Sequence, residues 1–211
     1  MKRASVEQRR TEILETTYQV VIDRGFAATR VSDVAARLGV STGLIHYHFD
    51  SKEILLAEAL RFAAEQDIAR LELELERAST ALAKLDAMFT FDMPAPGEPS
   101  WMLWIDGWGE ALRNPTMRGI SQDLDLAWMD RLAEIITAGV EAGEFTCRDP
   151  QSTAWRLSSL LDGLGVQFTV HEGVLSRSQL LSHVRAAAAL ELGIPEAAFT
   201  RVITRDIPAP A

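Results

Sequence analysis

The chain has 211 residues, 47% apolar and 24% charged, with a single cysteine, Cys147. This composition suits a globular protein with a real core, excludes an intramolecular disulfide, and points to a reducing cytoplasmic compartment. The net charge of −9 is unevenly spread: residues 1–49 hold seven Lys/Arg against five Asp/Glu, and residues 50–211 hold fourteen against twenty-five. The first stretch is therefore +2 and the remainder −11, so the acidic part would repel a polyanion and turn the N-terminal end toward it. No uncharged apolar run reaches the roughly 18 residues of a membrane span, and MKRASVEQRR lacks the apolar stretch of a signal peptide.

In chain order, residues 5–24 predict an amphipathic helix, with Val6, Ile13, Leu14, Thr17, Val20 and Val21 near three-and-four spacing and Gly25 as its stop. Phe26 and Ala27 are expected to pack back into a small core with Val31, Val34, Leu38, Leu44, Ile45 and Phe49. Two short segments follow, Ser32 to Leu38 and one opening at Ser41, separated by Gly39. Gly39 can adopt the left-handed conformation that ends a helix, and Ser41 is a good N-cap. Helix, glycine turn and capped helix make a helix-turn-helix, whose second helix lies in the major groove of DNA.

The polar residues of that segment fit such use. Tyr47, His48 and Lys52 could each reach a phosphate, Thr42 or His46 a base edge, and Gly43 allows close backbone approach. Lys2, Arg3, Arg9 and Arg10 could add phosphate contacts.

GVSTGLIHYHFDSKEILL resembles the recognition-helix signature of TetR-family transcriptional regulators, through its G-V-S-x-G and K-x-x-L-L elements. The resemblance runs from near residue 8 to about 60. It implies a three-helix DNA-binding domain, a helical domain for ligand and dimer, and repression relieved by a small molecule. Arg30 departs from the family, which often has Thr or Ser as a cap there; either Ser32 caps instead, or Arg30 grips a phosphate. The expected DNA-facing set is Arg30, Ser32, Ser41, Thr42, Gly43, His46, Tyr47, His48 and Lys52.

Downstream, Asp50-Ser51 can start a helix over about 52–76. Its LELELE stretch alternates like a strand, but twenty-five residues without Gly or Pro favour helix. Residues 79–91 predict a helix, and the proline-rich DMPAPGEPS a loop. Trp101, Trp104 and Trp108 then share one face of a helix that also carries Asp106 and Glu110. Pro115 closes that segment or opens a long helix over 116–142. Asp149 or Ser152 can start the next, which holds Gly163 and Gly165, and Ser176 caps the last. Residues 195–211 are expected to form a loosely ordered tail. The whole is an all-α chain of about nine helices, divided as a DNA-binding domain over 1–50, a ligand-binding and dimerisation domain over 51–194, and the tail.

The second half resembles the BetI-like, choline-sensing group within that family, through the tryptophan spacing followed by a proline and the LLDGL run. A tryptophan wall with carboxylates suits a cation. The expected effector site is Phe89, Trp101, Trp104, Trp108, Glu110, Asp162 and Phe168, for choline or a polyamine, with an uncharged hydrophobic ligand as the alternative. The same aromatics could equally be core or dimer contacts. A homodimer is expected through Leu157, Leu161, Gly165, Leu181, Val184 and Ala188.

Enzyme readings find no support. His46 and His48 point apart, His171 and His183 lack companion ligands, and phosphate-loop and dinucleotide fingerprints are missing, so neither metal nor cofactor is expected. A helical interaction module without DNA binding remains as a further alternative, and the helix-turn-helix stands against it.

Overall fold

The computed structural model describes residues 5–94, 99–171 and 173–199. Lys2, Arg3, residues 95–98 of the DMPAPGEPS loop and the end of the tail lie outside the described residues. The helices are α1 (Val6–Arg24), α2 (Val31–Leu38), α3 (Thr42–His48), α4 (Lys52–Arg77), α5 (Ala81–Asp92), α6 (Ser100–Ala111), α7 (Pro115–Glu141), α8 (Pro150–Val170) and α9 (Arg177–Leu192). No strand occurs among the described residues, so the all-α class stands.

Polar side chains start these helices by satisfying N–H groups that have no helical partner. Ser5 and Gln8 form a reciprocal capping box on α1, and Ser176 and Gln179 do the same on α9. Asn114 accepts from the N–H groups of Thr116 and Met117, which places Pro115 at the opening of α7. Asp149, rather than Ser152, caps α8 by accepting the Ser152 N–H at 3.0 Å.

The chain forms two compact units, Met1–Ile68 with Pro99–Asp125, and Ala69–Glu98 with Leu126–Ala211. The linear division at residue 50 is not how the chain packs, because α6 and the start of α7 share a core with α1 and α4. In the first unit, Ile13, Leu14, Val20, Val34, Ala35, Ile45 and Phe49 close the three-helix head with Leu55 and Ala59. Phe26 does not join this core as expected. It sits with Val21, Leu56, Ala57, Leu60 and Leu103. The cause is the turn at Gly25, whose φ of +78° carries the chain toward α6. Gly107 of α6 leaves room there, since a Cβ on it would lie 3.5 Å from the Phe26 ring. Ala27 and Val6 are exposed, contrary to expectation.

The second unit is built on Leu71, Leu75, Leu85, Met88, Phe89, Leu132, Ile136 and the inner faces of α8 and α9. The LELELE ambiguity resolves as helix: Leu71 and Leu75, four apart, are buried, while Leu73 between them is 55% exposed. Glu144, just past α7, accepts the N–H groups of Ala81 and Leu82, each at 3.0 Å, and so caps α5 across a sequence separation of 63 and 62 residues. Asp86 and Arg185 form a largely buried two-bond pair joining α5 to α9, at 2.6 and 3.1 Å. The expected loose tail is corrected at its start: Phe199 is buried, its ring 6.4 Å from that of Phe89.

Candidate DNA-reading head and effector contacts

The turn between α2 and α3 is built from local chemistry. Gly39 adopts the left-handed conformation, φ 70° and ψ 33°, and ends α2. The Val40 N–H then bonds back to the Ala35 carbonyl at 3.0 Å. Ser41 accepts the Leu44 N–H at 3.3 Å and caps α3. Ile45 is buried and anchors the helix, which leaves Ser41, Thr42, Gly43, His46 and Tyr47 exposed. Tyr47 is 74% exposed, with its ring edge-on to His48 at 5.1 Å. A row of hydrogen-bonding groups on a short capped helix, free of carboxylates, can lie against phosphates and base edges.

Lys52 is half-buried, and its ammonium donates to the Ala27 carbonyl at 3.3 Å. Ser32 does not cap α2 as one of the two alternatives had it. Asp33 accepts the Arg30 N–H at 3.0 Å, and Ser32 is exposed on the helix surface. The head's arginines divide sharply. Arg9 pairs with Glu12, Arg24 with Asp33 and Arg37 with Asp23, at 2.6–2.7 Å. Arg10 pairs with Glu58 and also donates to the His48 carbonyl at 2.8 Å, so it is no free phosphate ligand. Arg30 is exposed and makes no ion pair among the described residues. Glu12 is a near neighbour of Arg9 on α1, at i+3, whereas the partners of Arg10, Arg24 and Arg37 are supplied by other helices and carry no sequence signal.

The expected effector residues fall in different compact units: Trp101, Trp104, Trp108 and Glu110 in the first, Phe89, Asp162 and Phe168 in the second. In the first, Trp108 lies edge-on to Trp101 with centroids 6.2 Å apart, and 6.1 Å from Trp104. The Trp108 indole and the Ser121 hydroxyl bond to the Asp125 carboxylate, whose residue keeps solvent contact although burial of the carboxyl pushes its pKa up. Asp106, a candidate counter-charge, is instead engaged by backbone, accepting the Phe26 N–H at 2.6 Å.

In the second unit Phe89 is wholly buried and Phe168 half-buried. Asp92, which no sequence pattern singles out, is drawn to attention by its electrostatics. Burial raises its carboxyl to about 8, and the neighbouring charge of Asp162 reinforces the rise. Two carboxylates that resist joint ionisation would be relieved by a cation between them.

The expected dimer residues require correction. Leu157, Leu161, Gly165, Leu181, Val184 and Ala188 are all buried in the chain's own core, so they offer no surface to a second copy. The outer faces of α8 and α9 carry Trp155 and Leu190, 52% and 87% exposed. Among the described residues no cluster of His, Cys, Asp or Glu could hold a metal ion, and no helix is long and apolar enough to cross a membrane.

With this head and helical body in view, comparison with known proteins defines the class. Residues 13–59 match the family of bacterial regulatory proteins of the tetR type, and residues 77–193 match the BetI-type transcriptional repressor C-terminal domain. The chain belongs to the TetR family of DNA-binding transcriptional regulators and carries a BetI-type C-terminal domain. It is 27% identical over 169 residues to the regulator BetI of Paraburkholderia xenovorans, spanning 75% of this chain and 80% of that one. It is 36% identical over 81 residues to the repressor KstR2 of Mycolicibacterium smegmatis, spanning 40% of that protein. A protein of Saccharomonospora viridis, described as a transcriptional regulator and solved in complex with choline, superposes with a TM-score of 0.80 at 32% identity. That match covers 88% of this chain and 98% of the other.

Proposed function

We propose that this regulator binds a palindromic operator as a homodimer, represses transcription, and is released by a cationic amine of the choline type. The observation that carries the DNA half is the exposed face of α3, with Thr42, His46 and Tyr47 outward over a buried Ile45. Ser41 and Gly43 are proposed to admit phosphate and backbone at its N-terminal end. Arg30, exposed and without an ion pair among the described residues, is the phosphate ligand of first choice, with Ser32, His48 and Lys52 as weaker contributors.

The cationic effector is supported by the raised carboxyl of Asp92 beside Asp162, and by the choline in the Saccharomonospora relative. An ammonium near this pair would let both carboxylates ionise, and Phe168 offers an aromatic face worth about 0.5–2 kcal/mol. Phe89, wholly buried, belongs to the core and offers an effector no exposed face. Within the first unit, Trp101, Trp104 and Trp108 with Glu110 offer a second aromatic place for such a group.

Dimerisation is proposed through the outer stripe of α8, made of Trp155, Ser159, Gly163, Val166 and Val170, with Leu190 of α9. The stripe carries no charge, and open space surrounds the position of a Cβ on Gly163, so a partner helix can approach closely.

Selection from random duplex DNA, with and without choline, tests the reading. A recovered palindrome whose binding weakens with choline supports it. Recovery of no preferred sequence would defeat the operator half. Release by apolar compounds but not by choline would favour an uncharged effector instead.

A further inference from the structure

Arg10, an arginine bonded to the reading helix, is engaged within the head and only partly exposed. We propose that Arg10 is a positioning residue that fixes the C-terminal end of α3 and thereby sets base specificity, rather than a ligand for phosphate. The inference rests on the DNA-reading function of the head.

Three contacts converge on Arg10. One terminal nitrogen donates to the His48 carbonyl at 2.8 Å. The other pairs with Glu58 of α4. The guanidinium carbon lies 4.3 Å from the centroid of the Phe49 ring, itself buried. His48 is the last residue of α3, a helix of seven residues. Its carbonyl has no partner within the helix, and the partial negative charge at a helix end favours a cation there. A planar fork can serve a carbonyl and a carboxylate together while lying on an aromatic face. One side chain of α1 therefore joins the end of α3 to α4. A helix this short has little stiffness of its own, so the direction in which Thr42 and His46 point depends on how both ends are fixed. Ser41 holds one end by its cap, and Arg10 holds the other.

A phosphate ligand would behave differently. It would have to leave Glu58 and the His48 carbonyl to reach the DNA, and freeing it from Glu58 would strengthen binding to any duplex. The two roles thus predict opposite signs for the same substitution at Glu58.

The test compares wild type, Arg10→Lys, Arg10→Ala and Glu58→Gln. The probes are the duplex selected by the wild type and a scrambled duplex of equal length. Affinity for each is measured across a salt series, with thermal melting as a check on folding. Lysine keeps the charge, yet one ammonium cannot replace the fork on both acceptors. The expected result for Arg10→Lys is a preference for the selected duplex reduced about tenfold, with an unchanged salt slope. Glu58→Gln should lower the preference in the same direction. If Arg10→Ala fails to fold, these two folded variants still decide the matter. The proposal is overturned if Arg10→Lys equals wild type and Glu58→Gln binds both duplexes more tightly. A loss of about one unit of salt slope in Arg10→Ala would likewise overturn it. A wild type that prefers no duplex would instead remove the DNA-reading function on which the inference stands.

Discussion

The carboxylate of Asp106 on α6 accepts the backbone N–H of Phe26 at 2.6 Å. This bond ties the turn between α1 and α2 to the helix that carries three of the tryptophans. The turn is held from another side by Lys52, which donates to the carbonyl of Ala27. Asp106→Ala leaves the Phe26 N–H without its partner and should cost about 1–3 kcal/mol of stability. Asp106→Asn keeps an acceptor and should recover part of the loss. Amide hydrogen exchange at Phe26 checks this: fast exchange is expected in the alanine variant, and protection in wild type.

Phe145 occupies the space above Gly139. A Cβ on Gly139 would lie 2.2 and 2.3 Å from two carbons of that ring. The backbone cannot yield easily, because the N–H groups of Glu144 and Phe145 both bond to the Gly139 carbonyl, at 2.8 and 3.1 Å. Gly139→Ala should therefore cost at least the roughly 1–3 kcal/mol typical of overpacking, a fall of several degrees in Tm for a chain of this size. Adding Phe145→Leu should restore part of it. A single variant that melts like wild type would contradict this packing.

The raised carboxyl of Asp92 makes stability depend on pH in a stated direction. The folded chain holds its proton up to about 8, whereas the unfolded chain releases it near the ordinary carboxylate value of about 3.9. Between those values the folded state binds more protons, so this group's contribution to stability falls as pH rises from about 4 to about 8, then levels off. Asp92→Asn should remove that slope and raise Tm more at about pH 8 than at about pH 5. A proposed cation would expel the same proton, so choline affinity should rise with pH over this window in wild type and lose that rise in the variant. Melting curves and calorimetric titrations at the two pH values check both expectations.

Arg30 provides the counterpart to Arg10. It is exposed and makes no ion pair among the described residues, so its loss breaks none of them. Arg30→Ala should leave Tm within about 0.5 kcal/mol equivalent of wild type. It should weaken binding to selected and scrambled duplexes alike, and lower the salt slope by about 0.9. An unchanged slope would show that Arg30 does not meet a phosphate.

Local features were decided by the amino-acid order alone. The all-α class, the glycine stop at Gly39, the Ser41 cap and the outward Tyr47 follow from periodicity, capping and left-handed glycine. Each acts within a few residues, so a linear reading reaches them. Only the tertiary structure decided which arginine is free, which helix face is inside, and which carboxylate is strained. Arg10 and Arg30 look alike in sequence, but Glu58 and the His48 carbonyl reach the first, and among the described residues no ion-pair partner reaches the second. The apolar stripes of α8 and α9 could as well have met a second copy; Leu157, Leu161 and Val184 joined the chain's own buried core instead. Asp92 has no motif, because its pKa comes from burial and from a carboxylate on another helix. Periodicity states that a face is apolar or that a charge is present. What that face or charge meets depends on contacts far apart along the chain, which folding creates.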